Sequence, residues 1–93
     1  MNEMKKAVVS VLGNDQRGII AKVSRILYEH DVNILDISQT ILHGSFTMVM
    51  AVDIGAATAS FGDLSASLAE LGSEMGLSIR IQREEIFDAM HRI

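Results

Sequence analysis

The order in which the hydrophobic periodicity changes along this chain limits its fold more than any other feature. Apolar residues occupy every second position from Phe46 to Val52, which is the pattern of a strand with one buried face. Apolar residues spaced by three and four, as from Phe61 to Met75, indicate amphipathic helices instead. The changes between the two periods predict six elements, in the order strand, helix, strand, strand, helix, strand.

The same patterns define the bounds of the predicted elements. We expect strands over residues 6–12, 34–42, 46–52 and 77–82. The two main helices should cover about 19–30 and 60–76, and a short terminal helix 84–92. Ser60 is the expected N-cap of the second helix and Gly76 its expected C-terminal stop. A tight turn around Gly44 would join the second strand to the third.

The element order also predicts how the layers are arranged. Each helix must return the chain to the same sheet, and right-handed crossovers place both helices on one face of that sheet. The predicted fold class is therefore α+β, a ferredoxin-like βαββαβ sandwich in which two helices cover one face of a four-stranded antiparallel sheet. The other face stays uncovered although it carries apolar residues, so we expect a partner there or along a sheet edge.

The chain length and composition favour one self-associating domain. The 93 residues contain no tract that could act as a linker, so residues 1–93 are expected to form a single domain with a core at 5–83 and a tail at 84–93. Hydrophobic residues make up 48% of the chain, and a core this small cannot hide all of that apolar surface. We therefore expect a homodimer or a higher homo-oligomer.

Several function classes are disfavoured by the residue counts. A net charge of −4 argues against direct nucleic-acid binding, and the absence of cysteine removes thiolate catalysis and zinc ribbons. The three histidines lie in different elements without acidic residues at metal-ligand spacing, so neither a metal nor a cofactor is expected. No apolar run is long enough for a membrane span or a signal peptide, which favours a cytoplasmic protein with no membrane partner.

The segment GNDQRGI at residues 13–19 is the first candidate for function. The chain changes there from strand to helix, so free backbone N–H groups and the positive end of the helix dipole favour anionic groups. Gly18 allows a ligand or a neighbouring backbone to approach, and Asn14 and Asp15 add hydrogen-bonding side chains. The alternative is structural: Asn14 or Asp15 caps the helix, and Gly18 relieves a tight turn.

A second segment, VNI at residues 32–34, opens the second strand directly after the first helix. Asn33 could simply end that helix. Together, however, GNDQRGI, IIAKVSRILYEHDVNI, ILDISQTI and FTMVMAVDI resemble an ACT domain, over residues 5–83 of the chain. The resemblance is closest to stand-alone ACT proteins similar to the glycine cleavage system transcriptional repressor.

This resemblance implies a regulatory role rather than catalysis. ACT domains typically bind small effectors, often amino acids, at an interface between two modules. The loop after strand one supplies one set of contacts, here Asn14, Asp15, Arg17, Gly18 and Ile19. The adjoining module supplies the asparagine that opens strand two, here Asn33. The implied partners are a small-molecule effector, with an amino acid as the first expectation, and a second copy of the chain.

Two loop residues depart from the family pattern. Arg17 stands where many members have proline, which leaves the loop less rigid and adds a cation. Asp15 stands where amino-acid-binding members often have asparagine, so a carboxylate would meet a like charge while an ammonium group would be attracted. The identity of the effector therefore stays open.

The sequence also has features of three other kinds of protein. The element order also occurs in acylphosphatases, and Arg17 with Asn33 is a superficial match to the arginine and asparagine of those small hydrolases. RNA-recognition motifs share the order too, but a single Phe46 without flanking basic residues does not form a stacking platform. A protein-interaction subunit without a ligand cannot be distinguished from a sensor by sequence. No nucleophile with an adjacent base is evident, so we expect no enzyme.

Overall fold

The computed structural model of the protein describes residues 5–83, and it contains the six elements in the expected order. The elements are β1 (Lys6–Asn14), α1 (Ile19–Glu29), β2 (Asn33–Leu42), β3 (Ser45–Asp53), α2 (Phe61–Met75) and β4 (Ser78–Arg83). The helix expected over 84–92 lies outside the described residues.

The four strands form one antiparallel sheet in the order β2-β3-β1-β4. The central pair is β1 with β3, so β2 and β4 are the two edge strands. The β2–β3 hairpin turns through His43 and Gly44, which both have positive φ angles of 52° and 79°. Two such residues make a turn whose twist matches that of the flanking strands, and this fixes Ile41 opposite Phe46. The predicted ferredoxin-like fold is confirmed.

A single apolar core lies between the sheet and the two helices. The alternation predicted for β3 is confirmed, since Phe46, Met48, Met50 and Val52 are all buried. They pack with Val9 and Val11 of β1 and with the buried stripes of both helices, which are Val23 and Leu27 on α1 and Leu64, Leu68 and Leu71 on α2. Within residues 5–83 no polar or charged side chain is buried, so the core is held by apolar contacts alone.

The helix ends confirm one prediction and correct another. Ser60 caps α2, because its Oγ accepts a hydrogen bond of 3.1 Å from the backbone N–H of Asp63, and Gly76 ends the helix in a left-handed conformation. At α1 the N-cap residue is Gly18, and no side chain caps the helix. The structural alternative in which Asn14 or Asp15 caps α1 is therefore wrong.

All four strands differ slightly from the predicted bounds, and the end of β1 differs most. β1 continues through Gly13 to Asn14, because these residues pair with Phe46 and Ser45 of β3. β2 is an edge strand whose residues are nearly all exposed, with a bulge between Ile34 and Asp36. Neither described helix is long and apolar enough to cross a membrane.

Candidate functional site

The loop between β1 and α1 is held in place at two points. The backbone N–H of Asp15 donates to the carbonyl of Gly44 in the β2–β3 turn, at 2.8 Å. The side-chain amide of Gln16 donates to the carbonyl of Met75 at the end of α2, at 2.9 Å. The loop is thus hydrogen-bonded to the β2–β3 turn and to the end of α2, and these contacts fix the start of α1 in the absence of a ligand.

Gly18 shapes the junction between this loop and α1. Its φ of 84° is a conformation that residues with a side chain rarely adopt. Because Gly18 is the N-cap and offers no side chain, the N–H groups of Ile19, Ile20 and Ala21 have neither an acceptor in the helix nor a capping oxygen. These three groups form a positively polarised end that suits an anionic ligand group.

An open groove of about 530 Å³ lies at this junction. One wall is the loop with the first turn of α1, and the other wall is the helix-side face of β2 and β3. The lining residues are Asp15, Gln16, Gly18, Ile19, Ile20, Ala21, Gln39, Ile41 and Phe46. Asp15 carries the one formal charge among them, and the rest of the wall is largely apolar. The groove could therefore hold a small molecule that has both a charged and an apolar part.

The structure brings only some of the predicted site residues together. Asp15, Gly18 and Ile19 line the groove. Asn14, the last residue of β1, and Arg17 in the following loop are exposed and lie outside the groove lining. Asn33 lies at the opposite end of the sheet, because it pairs with Asp53 while Asn14 pairs with Ser45.

The distance from Asn33 to the loop bears on the acylphosphatase interpretation and on the expected role of Asn33 in ligand binding. Eight residue steps of β3 separate the two ends, about 27 Å at the rise of an antiparallel strand. Within one chain, Arg17 and Asn33 therefore cannot act on one acyl phosphate, and the structure gives no support to the acylphosphatase interpretation. Asn33 can contribute to the groove only from another copy.

Sequence reasoning missed several residues of the groove and its support. Gln39, Ile41 and Phe46 line the groove from β2 and β3, and Gln16 anchors the loop. The first three could have been found from the hairpin register, since a two-residue turn at His43 and Gly44 sets Ile41 beside Phe46. The Gln16 contact spans 59 residues of sequence, and no local pattern signals it.

The outer edge of β2 lies close to the groove and is apolar for an exposed strand. Leu35, Ile37, Ile41 and Leu42 are between 39% and 63% exposed. In the described part of the chain nothing pairs with this ten-residue strand on its outer side, so its backbone N–H and C=O groups are available to another strand. Such an edge favours addition of a strand from a second molecule.

The histidines do not form a metal site in the described region. No group of three His, Cys, Asp or Glu side chains between residues 5 and 83 is placed to hold an ion. The Nδ1 atom of His30 lies 2.8 Å from the carbonyl oxygen of Ile26, while His43 is exposed in the hairpin turn. His91 lies outside the described residues.

The structure is thus a ferredoxin-like α+β sandwich with a groove at its first strand-to-helix junction, and the sequence comparison identifies the family within this fold class. The family model described as "ACT domain" matches residues 5–82. A UPF0237 protein from Bifidobacterium longum is 52% identical over 90 residues, which is 97% of this chain and 100% of that protein. The chain belongs to the ACT domain family, whose members are small-molecule-binding regulatory modules.

Solved structures agree with this assignment. An ACT domain protein from Streptococcus pneumoniae superimposes with a TM-score of 0.80 at 37% identity, over 96% of this chain and 100% of that one. A structure described as a candidate glycine cleavage system transcriptional repressor has a TM-score of 0.70 at 23% identity, and the match covers 86% of this chain and 46% of that one. At that identity the second likeness shows the fold alone.

Proposed function

We propose that the protein is a cytoplasmic, non-catalytic regulatory module that binds an amino acid between two copies of the chain. The observation that carries the proposal is the groove at the start of α1, which has a charged end and an apolar wall and is lined in part by Gln39 and Ile41 of the edge strand β2. A second copy added at that edge would close the groove and bring Asn33 to it.

Strand pairing supports this arrangement. If β2 pairs with β2 of a second copy about a two-fold axis, the two strands run antiparallel. The beginning of each β2 then lies beside the end of the other, so Asn33 of the second copy comes next to Ile41, which lines the groove. The middle of the strand, at Ile37, lies beside Ile37 of the second copy.

The charges of the groove suit a zwitterion. Asp15 attracts the ammonium group of an amino acid, while the free N–H groups of Ile19 to Ala21 favour its carboxylate. Ile41 and Phe46 offer an apolar surface for the side chain of the ligand. The amide of Asn33 from the second copy can donate to the carboxylate or accept from the ammonium group.

Binding across two chains gives such a module a means of regulation. A ligand that contacts both copies stabilises the paired form and one relative orientation of the two chains. A metabolic enzyme or a transcriptional regulator that recognises this orientation would then respond to the ligand concentration. No step of this scheme needs chemistry on the ligand.

The first prediction concerns ligand binding. Calorimetric titration of the wild-type protein with the proteinogenic amino acids is expected to give heat with at least one of them. Asn33→Ala should weaken that binding by about tenfold, the effect of one lost hydrogen bond of about 1.4 kcal/mol. Gln82→Ala, an exposed amide on β4, is the matched control and should bind like the wild type.

Two results would contradict the proposal. If no amino acid gives heat, the sensing role fails and a ligand-free interaction subunit remains. If the protein hydrolyses acyl phosphates and Arg17→Ala abolishes that activity, the non-catalytic assignment is wrong.

A further inference from the structure

Gln39 is a polar residue in an apolar row on the helix-facing side of β2. The register pairs Gln39 with Met48 and Ile41 with Phe46. Met48 and Phe46 are buried beneath the helices, and directly opposed residues share one face of a sheet, so Gln39 and Ile41 lie on that same side. The next residue on this side of β2 is Ile37. Gln39 thus interrupts an apolar row at the place where the row lines the groove.

Three side chains of the groove lining carry hydrogen-bonding groups, and two of them already have a role. Asp15 supplies the negative charge for the ammonium group of the proposed ligand. The side-chain amide of Gln16 donates to the carbonyl oxygens of Met75 and Asn14 and so holds the loop. The side chain of Gln39 is exposed and enters no hydrogen bond among residues 5–83. In this part of the chain Gln39 is therefore the lining amide that is available to a ligand.

Gln39 is placed to meet the side chain of the ligand rather than its head group. The head group is expected at the loop, with its ammonium group at Asp15 and its carboxylate at the start of α1. The N–H of Asp15 is bonded to Gly44, so the head group lies near the β2–β3 turn. Gln39 lies two residues beyond Ile41 from this turn, about 7 Å along the strand. The ligand side chain then extends past Ile41 towards the amide of Gln39.

We infer that Gln39 selects amino acids whose side chain ends in a hydroxyl or an amide. A carboxamide donates and accepts at the same time, which matches both of these groups. An apolar side chain would leave the amide of Gln39 without a partner once the groove is closed to water. A charged side chain would find no second charge among the lining residues, because Asp15 is occupied by the ammonium group. The inference rests on the proposed function, since a second copy must close the groove.

Calorimetry with pairs of amino acids of similar shape tests the selection. The pairs are threonine with valine, asparagine with leucine, and glutamine with methionine. In at least one pair the wild-type protein is expected to bind the hydrogen-bonding member at least about tenfold more tightly than the apolar member, the effect of one hydrogen bond to the ligand side chain.

Gln39→Met assigns that preference to Gln39. Methionine keeps the unbranched shape of the side chain and removes the amide, so the preference should fall to less than about twofold. The apolar member of the pair should bind this variant at least as tightly as it binds the wild type, which also shows that the groove is intact. Gln82→Met removes an exposed amide from the other edge strand, β4, and should keep the wild-type preference.

The outcomes separate the inference from the proposed function. Equal affinities within every pair, a charged amino acid as the tightest ligand, or an unchanged preference in Gln39→Met would overturn the inference and leave the proposed function intact. Loss of all binding in Gln39→Met would show a structural role for Gln39 and would also overturn the inference. If no amino acid binds the wild type, the proposed function fails and the inference fails with it.

Discussion

Gly72→Ala is expected to lower the free energy of unfolding by about 2–3 kcal/mol, a large part of the stability of a small domain. A Cβ atom at this position would lie 2.6 Å from the carbonyl oxygen of Leu77 and 3.3 Å from Cγ1 of Ile79. Both atoms belong to the segment that enters β4, so α2 and the strand would have to move apart. Gly72 also accepts the hydrogen bond from the N–H of Leu77 that closes this connection, at 2.8 Å.

Gly62→Ala is the matched control, because it makes the same change in the same helix. The nearest atom to a Cβ at Gly62 is the Oγ of Ser60 at 3.9 Å, an ordinary contact. Alanine should therefore stabilise the protein by about 0.5 kcal/mol through its better helix propensity. Urea unfolding followed by far-ultraviolet circular dichroism measures both values. Two changes of the same sign would show that the close approach of α2 to β4 is not as described.

Ile37→Lys is expected to raise the dissociation constant of the proposed β2 pair by at least about 100-fold. In the antiparallel arrangement Ile37 lies near the two-fold axis, so one substitution places two like charges about 5 Å apart. Their repulsion is about 3 kcal/mol at an effective dielectric constant of about 20, and the apolar contact of Ile37 is lost as well. Because the ligand is held between the two copies, its affinity should fall together with the pairing.

The control for this prediction is Ala66→Lys, which introduces the same charge on the exposed side of α2. Sedimentation velocity over a concentration series gives the dissociation constants. If Ile37→Lys and Ala66→Lys associate equally well, pairing does not use β2. If Ile37→Lys is monomeric but still binds the amino acid with full affinity, the groove does not need the second copy.

The sequence predicted the elements that depend on local chemistry. The alternation in β3 and the Ser60 and Gly76 ends of α2 were read from neighbouring residues alone, and the structure confirms them. The features that were not predicted depend on contacts between residues distant in sequence. β1 continues beyond Gly13 because Gly13 pairs with Phe46 and packs closely against Leu77. The prediction that the strand ends at a glycine does not take such contacts into account.

The candidate site was predictable only in part, for a similar reason. The loop and Gly18 carry a local signal, whereas the anchoring of Gln16 on Met75 joins segments far apart in the chain. Ile20 follows the apolar period of α1 but is 36% exposed, because the first turn of the helix borders the groove instead of the core. The role of Asn33 depends on a second copy, and the fold of one chain places Asn33 and the loop at opposite ends of the sheet.

The most direct test of the shared site is disulfide cross-linking, since the natural chain has no cysteine. Residues that face each other across an antiparallel strand pair have Cα atoms about 4.5–5.5 Å apart, within the span of a disulfide. Under mild oxidation Ile37→Cys, at the two-fold axis of the proposed β2 pair, is expected to form a covalent dimer rapidly, and the amino-acid ligand should accelerate the reaction. Gln82→Cys on the opposite edge strand should stay monomeric under the same conditions. Equal cross-linking of the two variants, or cross-linking of Gln82→Cys alone, would contradict the proposal that the second copy completes the groove at β2.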